Sequence, residues 1–324
     1  MSVESEAADA AVIPDHQRLA ATERATVAVV IPTPGRSARL DRCLESLSRQ
    51  THLPLETVVV VPSEEAMEEI ARCGLAVQVR VCAGNASFSR MVNDGIASTT
   101  GEWVLLVNDD VVLTPHFLER LVSDIPPAPG IGMMCGKLLA ADGRTIDSTG
   151  QFVSRAWTAR ERGYKTADVG QCDSPGYVFS VPGAAALYRR RMLEEIAVQG
   201  RYFDEGFGTY LEDLELGWRA QHAGWRAYYV PAARAIHARG STTKSRRPRW
   251  PFLQRYYLPW ISPALQARYI RNRYRLMARY GSPWTLLRDG PWILWYELRL
   301  WVYLLSFGRE TLRAMWRIRK TSQG

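Results

Sequence analysis

Several familiar signatures of metal-binding and nucleotide-binding proteins are missing from this chain of 324 residues. The five cysteines are scattered, odd in number and never spaced as CxxC, which argues against a zinc knuckle or a disulfide framework and is typical of a reducing cytoplasm. The sequence contains no GxGxxG turn, no Walker loop and no GxSxG elbow. A dinucleotide-binding turn, a P-loop and a serine nucleophile are therefore not indicated.

Targeting signals and long apolar stretches are also lacking. Residues 1–25 are polar and rich in Ala and Glu. They have neither the basic start nor the apolar stretch of a secretory signal, so we expect a short mobile leader. The run Trp292–Phe307 is strongly apolar, but Glu297 and Arg299 interrupt it. It falls short of the roughly 20 apolar residues that a membrane-spanning helix needs.

Apolar and aromatic residues are plentiful, and positive charge is concentrated at one end. The chain is 47% hydrophobic, with 11 Trp and 14 Tyr, which suffices for one large α/β domain with an appendage. Residues 244–324 hold 17 Lys/Arg and 3 Asp/Glu. Their balance of +14 exceeds the +8 of the whole chain, so a mildly acidic body of −6 carries a strongly basic tail.

Strand-like and helix-like segments alternate through the first half of the chain. Apolar, β-branched runs predict buried strands, and apolar residues at helical spacing predict the helices between them. The predicted strands are Thr26–Pro34, Glu56–Val61, Ala76–Cys82 and Glu102–Val107, and the predicted helices are Arg36–Gln50, Glu64–Cys73 and Ser87–Ser98. This alternation predicts a doubly wound, mostly parallel sheet, whose ligands bind beyond the carboxyl ends of the strands.

The pattern is looser after residue 130. The expected elements are a strand at Ile131–Leu139, loop or short hairpins over Ala156–Gly176, strand material around Pro182-Gly183, a helix at Leu211–Ala223, a strand at Ala227–His237 and helices from Pro251 onward. In the predicted helix, Leu211, Leu214 and Trp218 share one stripe that should pack inward.

The polar triplet Asn108-Asp109-Asp110 follows a predicted central strand. Two adjacent carboxylates repel each other unless a cation neutralises them, and a hard divalent cation that bridges a diphosphate would do so. Asn and Asp also favour turns, which is the plainer interpretation. The position at the carboxyl end of a strand favours a ligand site.

A second acidic pair, Glu212-Asp213, opens the predicted helix. Acids at this position complement the helix dipole, which is worth about 0.3–1 kcal/mol, or one of them serves as a carboxylate base for an acceptor hydroxyl. Glu215 and Arg219, spaced i,i+4, are interpreted as an ordinary surface pair.

Three weaker signals lie near predicted strand and helix ends. His237, with Arg239 and Gly240 after it, is either structural or a metal ligand beside a phosphate-binding guanidinium. The turn from Gly84 to Ser87 precedes a predicted helix and can present backbone N–H groups to an anion. The Gly35-Arg36 turn is equally weak by itself.

The order and spacing of these motifs resembles glycosyltransferase family 2, in its bacterial rhamnosyltransferase-like branch, over Val27 to Gly240. The motifs that carry the resemblance are VIPTPGR with RCLESLSRQ, FSRMVNDGIASTTGEWVLLVNDD, FDEGFGTYLEDLELGWRAQHAGWRAYYVP and AIHARGS, and YIRNRYRLMARYG resembles a segment that follows the catalytic domain in that branch. The resemblance implies the GT-A fold over residues 26–243 and an inverting transferase that uses a nucleotide-sugar donor.

The resemblance also implies roles at matching positions. Asn108-Asp109-Asp110 falls at the family's DxD-type motif, so Asp110 is expected to bind Mg²⁺ or Mn²⁺, with Asn108 and Asp109 beside the nucleotide. His237 is expected as a further metal ligand. Asp213 falls at the family's catalytic base, next to Glu212. The other donor contacts that it implies are Thr33, Arg36, Arg90 and Asn93.

Two positions depart from the family pattern. Asn108 replaces the first acid of DxD, a variation that is common in this branch. The second strand usually ends in an Asp that reads the nucleotide base, but here Pro62-Ser63 stands in its place. Base selectivity is therefore open, with Ser63 or Glu64 as possible substitutes.

The basic tail over residues 244–324 has several interpretations. A basic stripe of Arg309, Arg313, Arg317 and Lys320 accompanies an apolar stripe with Trp316, which indicates a helical extension lying on an anionic membrane surface. A helical subdomain packed on the core is the plainer alternative. Nucleic-acid binding would leave both acidic motifs unexplained and is not expected.

The expected activity is transfer of a sugar from a dTDP- or UDP-linked donor to a hydroxyl of a lipid-linked or polysaccharide acceptor. By analogy with the branch, the donor would be dTDP-rhamnose and the product a cell-envelope glycan. The expected location is cytoplasmic, peripheral at the inner face of the plasma membrane. A catalytically inactive homologue that binds nucleotide-sugar is the alternative.

Overall fold

The computed structural model describes residues 25–72, 77–82, 84, 86–124, 130–239 and 258–321. Of the expected leader only Ala25 is described, and the basic segment after Arg239 lies outside the described residues as far as residue 257. Within the described residues, strands and helices alternate up to Val107 as the sequence pattern predicts.

Four strands and three helices form the first half of the fold. They are β1 (Val27–Pro32), α1 (Ala38–Ser48), β2 (Glu56–Val61), α2 (Glu64–Ala71), β3 (Gln78–Val81), α3 (Phe88–Ala97) and β4 (Trp103–Val107). Each helix begins after a serine, Ser37, Ser63 or Ser87, whose side chain accepts a hydrogen bond from the backbone N–H three residues on. These caps satisfy one of the free donors of each first turn.

The four strands are parallel, with β1 between β2 and β4, and β3 outside β2. Alternate side chains of β1 enter two different cores, with Val29 and Ile31 on one face of the sheet and Val30 on the other. Helix α3 packs on the second face. Gly95 permits its close approach, because a Cβ at this position would lie 2.4 Å from Val30 Cγ1. The doubly wound sheet is confirmed.

The second half extends this sheet with strands of both directions. Its elements are β5 (Val111–Leu113), α4 (Phe117–Ser123), β6 (Ile131–Leu139), β7 (Ile146–Ser148), β8 (Gln151–Val153), β9 (Ala159–Glu161), β10 (Gly176–Val178), β11 (Ala185–Arg189), α5 (Arg190–Glu195), α6 (Glu212–His222) and β12 (Arg226–His237). The strand order is β10-β12-β6-β11-β4-β1-β2-β3. β11 runs antiparallel to both of its neighbours, so this half is mixed, and β8 and β9 form a separate hairpin.

Three helices complete the described chain after a short 3₁₀ turn at Leu258–Trp260: α7 (Pro263–Tyr280), α8 (Pro283–Phe307) and α9 (Arg309–Thr321). Ile270 of α7 packs with Leu300 and Leu304 of α8. Among the described helices, none combines the length and the apolar character that crossing a membrane requires.

Candidate functional site

The first acidic motif lies between the end of β4 and the start of β5. Asp109 and Asp110 are both buried. Thr33, which directly follows β1, donates a hydrogen bond from Oγ1 to Asp109 Oδ2 at 2.7 Å. Burial raises the pKa of Asp109, the Thr33 hydrogen bond partly offsets this effect, and the charge of Asp110 adds to it. The loop after β1 and the acidic motif therefore share one crevice, as neighbouring parallel strands require.

The end of β12 brings His237 to the same crevice. β12 pairs with β5 so that His237 lies opposite Val111, and the Ala238 N–H donates to the Asp110 carbonyl at 3.0 Å. This pairing places His237 Nε2 3.3 Å from Asp110 Oδ1. The two residues for which the sequence predicts a shared metal are in contact.

The structure adds Asp147, at the centre of β7, to this pair. Asp147 Oδ2 lies 2.8 Å from His237 Nδ1, and Arg239 Nε donates to Asp147 Oδ1. Burial disfavours a charged imidazole, but hydrogen bonds to Asp110 and Asp147 outweigh it and raise the pKa of His237 to about 9. Burial alone would raise the pKa of Asp147, yet its bonds to His237 and Arg239 lower it. The sequence gives no periodic signal for this residue.

These residues fit a hard divalent cation that binds together with a diphosphate. A carboxylate on one ring nitrogen orients the other nitrogen towards a metal, which is the relation of Asp147 to His237. Asn108 Oδ1 is buried and has no hydrogen-bond partner among the described residues. Within the described chain, no group of three or more His, Cys, Asp or Glu is placed to hold a metal ion by itself. Mg²⁺ commonly uses one or two carboxylates and takes its other ligands from substrate phosphates and water.

The second acidic motif opens α6. Leu211 and Leu214 are buried as the sequence predicts. Glu212 is also buried, whereas Asp213 keeps part of its surface exposed. The backbone of Leu211 is left-handed, with φ of 67°, a costly conformation for a residue with a side chain. The two acids therefore differ slightly in exposure as whole residues, although burial acts on both carboxyl groups.

Asp213 is held against the strand that neighbours β4. The Gly183 N–H donates to Asp213 Oδ2 at 2.9 Å, and the next residue, Ala184, accepts a hydrogen bond from the Asn108 N–H at 2.9 Å. A path of two hydrogen bonds and one peptide unit thus joins Asp213 to the start of the first acidic motif. Both acidic motifs therefore lie at the carboxyl end of β4.

The two acids also differ in their hydrogen bonds. Asp213 Oδ1 accepts from the Leu214 N–H at 2.8 Å and Oδ2 accepts from Gly183 and Gln151. Glu212 Oε2 has no hydrogen-bond partner among the described residues. Burial raises the pKa of both carboxyls, and the charge of Asp213 raises that of Glu212 well above its usual range. Glu212 is thus the acid that resists ionisation more strongly.

The interpretation of Glu215 and Arg219 as a surface pair is wrong. Glu215 is fully buried. It bonds to Arg219 at 3.0 Å, and also accepts from Arg279 Nη1 at 2.7 Å and Tyr280 Oη at 2.8 Å. Its second set of partners comes from the end of α7, which local sequence spacing does not reveal.

The remaining predicted donor contacts occupy the rim of the crevice and α3. Arg36 is half-exposed and lies 3.6 Å from Asp41. The Arg90 guanidinium lies beside Gly84, where a Cβ would be 3.7 Å from Arg90 Nη1. Asn93 is buried and uses its amide to bond the backbone of Phe203 at both the carbonyl and the N–H. Asn93 could therefore contribute to donor binding in two ways. It could hold the segment around Phe203 in place, or it could give up its bonds to Phe203 and contact the donor directly.

Solved structures share the fold. The structure of GalNAc-T7 with UDP, GalNAc and Mn²⁺ gives a TM-score of 0.55 at 14% identity, over 77% of this chain and 48% of that one. The mannosyltransferase PcManGT from Pyrobaculum calidifontis, with GDP-Man and Mn²⁺, gives a TM-score of 0.53 at 16% identity, over 94% of this chain and 76% of the other. The expected GT-A fold is confirmed.

Curated relatives agree in class. An N-acetylglucosaminyl-diphospho-decaprenol L-rhamnosyltransferase of Mycobacterium tuberculosis is 24% identical over 253 residues, 68% of this chain and 78% of that protein. The uncharacterized glycosyltransferase YwdF of Bacillus subtilis is 27% identical over 214 residues, 65% of this chain and 74% of that one. The family model "Glycosyltransferase like family 2" matches residues 24–252, and this chain belongs to that family.

Proposed function

We propose that this protein is a metal-dependent, inverting glycosyltransferase that moves a sugar from a nucleotide-diphosphate donor to a hydroxyl acceptor. The observation that carries the proposal is the proximity of the two acidic motifs, since Asp213 and the Asn108–Asp110 motif are joined through Gly183 and Ala184. A donor diphosphate at one motif and an acceptor hydroxyl at the other would meet there.

The donor side is built from the first motif and its neighbours. Asp110 and His237 would hold Mg²⁺ or Mn²⁺, with Asp147 fixing the imidazole. A bound cation supplies Lewis-acid stabilisation of the leaving diphosphate. Asn108 and Asp109 would lie against the nucleotide, with Asp109 held by Thr33. Arg36, Arg90 and Asn93 are proposed at the edges of the same site, through direct contact or by holding its walls.

The acceptor side centres on Asp213. Its hydrogen bonds from Gly183, Gln151 and Leu214 favour an ionised carboxylate, whereas Glu212 Oε2 has no hydrogen-bond partner among the described residues. Asp213 would take the proton of the acceptor hydroxyl while that oxygen attacks the anomeric carbon. A single displacement of this kind inverts the anomeric configuration and requires no covalent intermediate. Glu212 would orient the acceptor, because burial and the charge of Asp213 raise its pKa and disfavour the ionised form that a base requires.

For the substrates, we propose dTDP-rhamnose or a UDP-sugar as donor and a lipid-linked or polysaccharide acceptor. The mycobacterial relative supports this choice, since its name specifies an L-rhamnosyl group and a diphospho-decaprenol acceptor. In this chain Ser63 caps α2 through its hydroxyl, so the position that usually reads the nucleotide base has a structural role here. Selectivity for the base would then depend on other contacts.

We further propose peripheral attachment to the inner face of the plasma membrane through residues 244–324, beside a catalytic domain of residues 26–243. Helix α8 supports this proposal with exposed apolar side chains, including Leu287 at 73%, Leu294 at 71% and Trp295 at 60% exposure. Their spacing places them on one face along a helix of 25 residues, roughly 37 Å long. Trp and Leu on such a face suit the interface of a bilayer, where a lipid-linked acceptor is found.

Calorimetric titration tests the donor site. The wild-type protein should bind dTDP-rhamnose or one of the UDP-sugars in the presence of Mn²⁺ and lose this affinity when the metal is chelated. Asp110→Ala should abolish the metal-dependent part, whereas Asp124→Ala, which removes an exposed acid at the end of α4, should not. Unchanged, Mn²⁺-dependent affinity in Asp110→Ala would refute the site. Normal donor binding without transfer to any acceptor would identify an inactive homologue.

A further inference from the structure

The β8–β9 hairpin contacts the carboxylate that we propose as the base. Gln151, the first residue of β8, is only 3% exposed. Its Nε2 donates to Asp213 Oδ2 at 2.9 Å and to Glu161 Oε1, across the hairpin, at 3.0 Å. One buried amide group therefore bridges two acids that come from different elements of the fold.

The bridge is fixed by a second layer of hydrogen bonds. The Ser148 hydroxyl donates to the other oxygen of Glu161. The Gln151 N–H donates to the Ser180 carbonyl at 2.9 Å, and the Ser180 hydroxyl donates to the Asp213 carbonyl at 3.1 Å. Gln151 is thus tied to the surroundings of Asp213 through both its side chain and its backbone.

The far end of the hairpin is anchored as well. Trp157, in the turn between β8 and β9, stacks on Trp218 of α6 with 5.1 Å between ring centroids. The neighbouring Ala156 carbonyl accepts from Arg273 of α7 at 2.7 Å. Because both ends are held, the hairpin can act as a rigid support for the side chain of Gln151.

The donors around Asp213 make its two oxygens unequal. A carboxylate oxygen has room for about two hydrogen bonds. Oδ2 receives two, from Gly183 and Gln151, whereas Oδ1 receives one, from Leu214. An amide turned the other way would place its carbonyl oxygen against Asp213 and Glu161, so the two acids together select the observed orientation.

Building on the proposed function, we propose that Gln151 is a positioning residue for the catalytic base: it fills Asp213 Oδ2 and leaves Oδ1 to accept the proton of the acceptor hydroxyl. Glu161 serves this role by holding the Gln151 amide in the required orientation. Gln151 itself touches neither substrate. Its loss should affect the rate of the proton-transfer step rather than the binding of the donor.

The test replaces Gln151 in the full-length protein. Gln151→Leu should lower kcat by about 10- to 100-fold, the scale of a slightly misplaced catalytic group, with an unchanged KM for dTDP-rhamnose or for the UDP-sugar that replaces it. Gln221→Leu is the matched control. The side-chain amide of Gln221 donates a hydrogen bond too, but its acceptor is the Phe179 backbone carbonyl at 2.8 Å rather than Asp213.

Two further readouts separate positioning from mere packing. Glu161→Gln keeps an acceptor for the Gln151 amide and should retain most turnover, while Glu161→Leu should resemble Gln151→Leu. In Gln151→Leu the acidic limb of the kcat profile should move to higher pH, because a donor that favours the ionised carboxylate is lost. The titratable groups that face Asp213 are Glu161 on the hairpin, Glu212 on α6 and Tyr188 on β11.

The outcomes distinguish this inference from the proposed function. If Asp213→Asn loses turnover while Gln151→Leu behaves like Gln221→Leu, the positioning role is refuted and the base stands. If Asp213→Asn keeps its turnover, the base assignment and the positioning role both fall. Should Gln151→Leu not fold, as judged by thermal unfolding, the contrast between Glu161→Leu and Glu161→Gln decides the question.

Discussion

Consecutive helices α7 and α8 reverse the usual relation between polarity and burial. In α7 the polar side chains of Gln266, Asn272 and Arg273 are buried, the last two completely. In α8 the most exposed side chains include Trp284 at 75% and Leu287 at 73%. Buried polar groups need partners, and exposed apolar groups mark a surface that meets something else. The two helices must therefore serve different purposes.

Helix α7 stabilises the segment that leads into α6 and its two acids. The Asn272 amide donates to the carbonyls of Phe207, Thr209 and Tyr210 at 2.7–3.2 Å. Tyr210 and Leu211 both have left-handed backbones, with φ of 73° and 67°, and they directly precede α6. A conformation of this kind persists only where its surroundings hold it, so α7 is part of the architecture of the site.

Helix α8 has the opposite character. It rests on α7 through Leu300 and Leu304 and presents many of its other apolar side chains outwards. A bilayer interface suits this face because its tryptophans have an apolar body and a polar N–H. The C-terminal extension therefore combines a helix that holds the backbone before α6 with a helix that we propose meets the membrane.

Among substitutions that remove the difference between α7 and α8, the largest effect on stability is expected in α7. Arg273 is fully buried and pairs with Glu297 of α8. Arg273→Met should lower the free energy of unfolding by about 2–3 kcal/mol, because the Ala156 carbonyl loses both of its guanidinium donors and Glu297 loses its charged partner. Urea unfolding measures this loss. Arg268→Met, at a half-buried position of the same helix, is the control and should stay within about 1 kcal/mol of wild type; equal losses in both variants would contradict the role of Arg273.

An intermediate effect is expected on the exposed face of α8. Replacing Leu287, Leu294, Trp295 and Leu298 together by Ser should weaken binding to anionic vesicles more than tenfold, since each buried apolar side chain contributes on the order of 1 kcal/mol. The melting temperature should be almost unchanged. Leu53→Ser with Leu55→Ser, at exposed leucines of the catalytic domain, should leave vesicle binding intact. A different result would be that the α8 variant binds vesicles normally, and that the wild-type protein sediments as a dimer while the variant sediments as a monomer. The exposed face of α8 would then be a contact between two copies of this chain.

The smallest effect should come from the basic face of α9. Arg309 and Arg313 are exposed, and each basic residue near an anionic surface contributes about 1 kcal/mol at low salt. Arg309→Gln with Arg313→Gln should reduce vesicle binding several-fold, and added salt should shrink this difference by screening. Sedimentation with vesicles of phosphatidylglycerol and of phosphatidylcholine measures it. Equal binding of the wild-type protein to both lipids would exclude an electrostatic contribution to membrane attachment.

Sequence reasoning succeeded where the signal was local. The strands β2 and β6 have the predicted bounds, because an apolar, β-branched run between polar turns is a sufficient local signal for a strand. Asp147 was missed, since β7 has only three residues and no periodicity. Glu215 was misplaced because the partners that bury it, Arg279 and Tyr280, lie far along the chain. Gln151 was missed for the same reason, since its partner Asp213 is brought near only by the fold.

The resemblance supplied what the local pattern could not. From residue types alone, Asp110 suits a turn as well as a metal, and His237 suits a structural role. Their contact at 3.3 Å depends on the pairing of β12 with β5, which no local spacing predicts. The roles of these residues and of Asp213 are predictions that the proposed variants test.

Turnover of two variants at adjacent positions tests the central claim most directly. With Mn²⁺ present and donor saturating, Asp213→Asn should lower kcat by about 10²–10⁴-fold, the usual contribution of a general base, while donor binding stays nearly normal. Glu212→Gln should lower kcat less and weaken the acceptor KM more. Near-normal turnover in Asp213→Asn, with its loss in Glu212→Gln, would show that the roles are exchanged, and normal turnover in both would show that the base lies elsewhere.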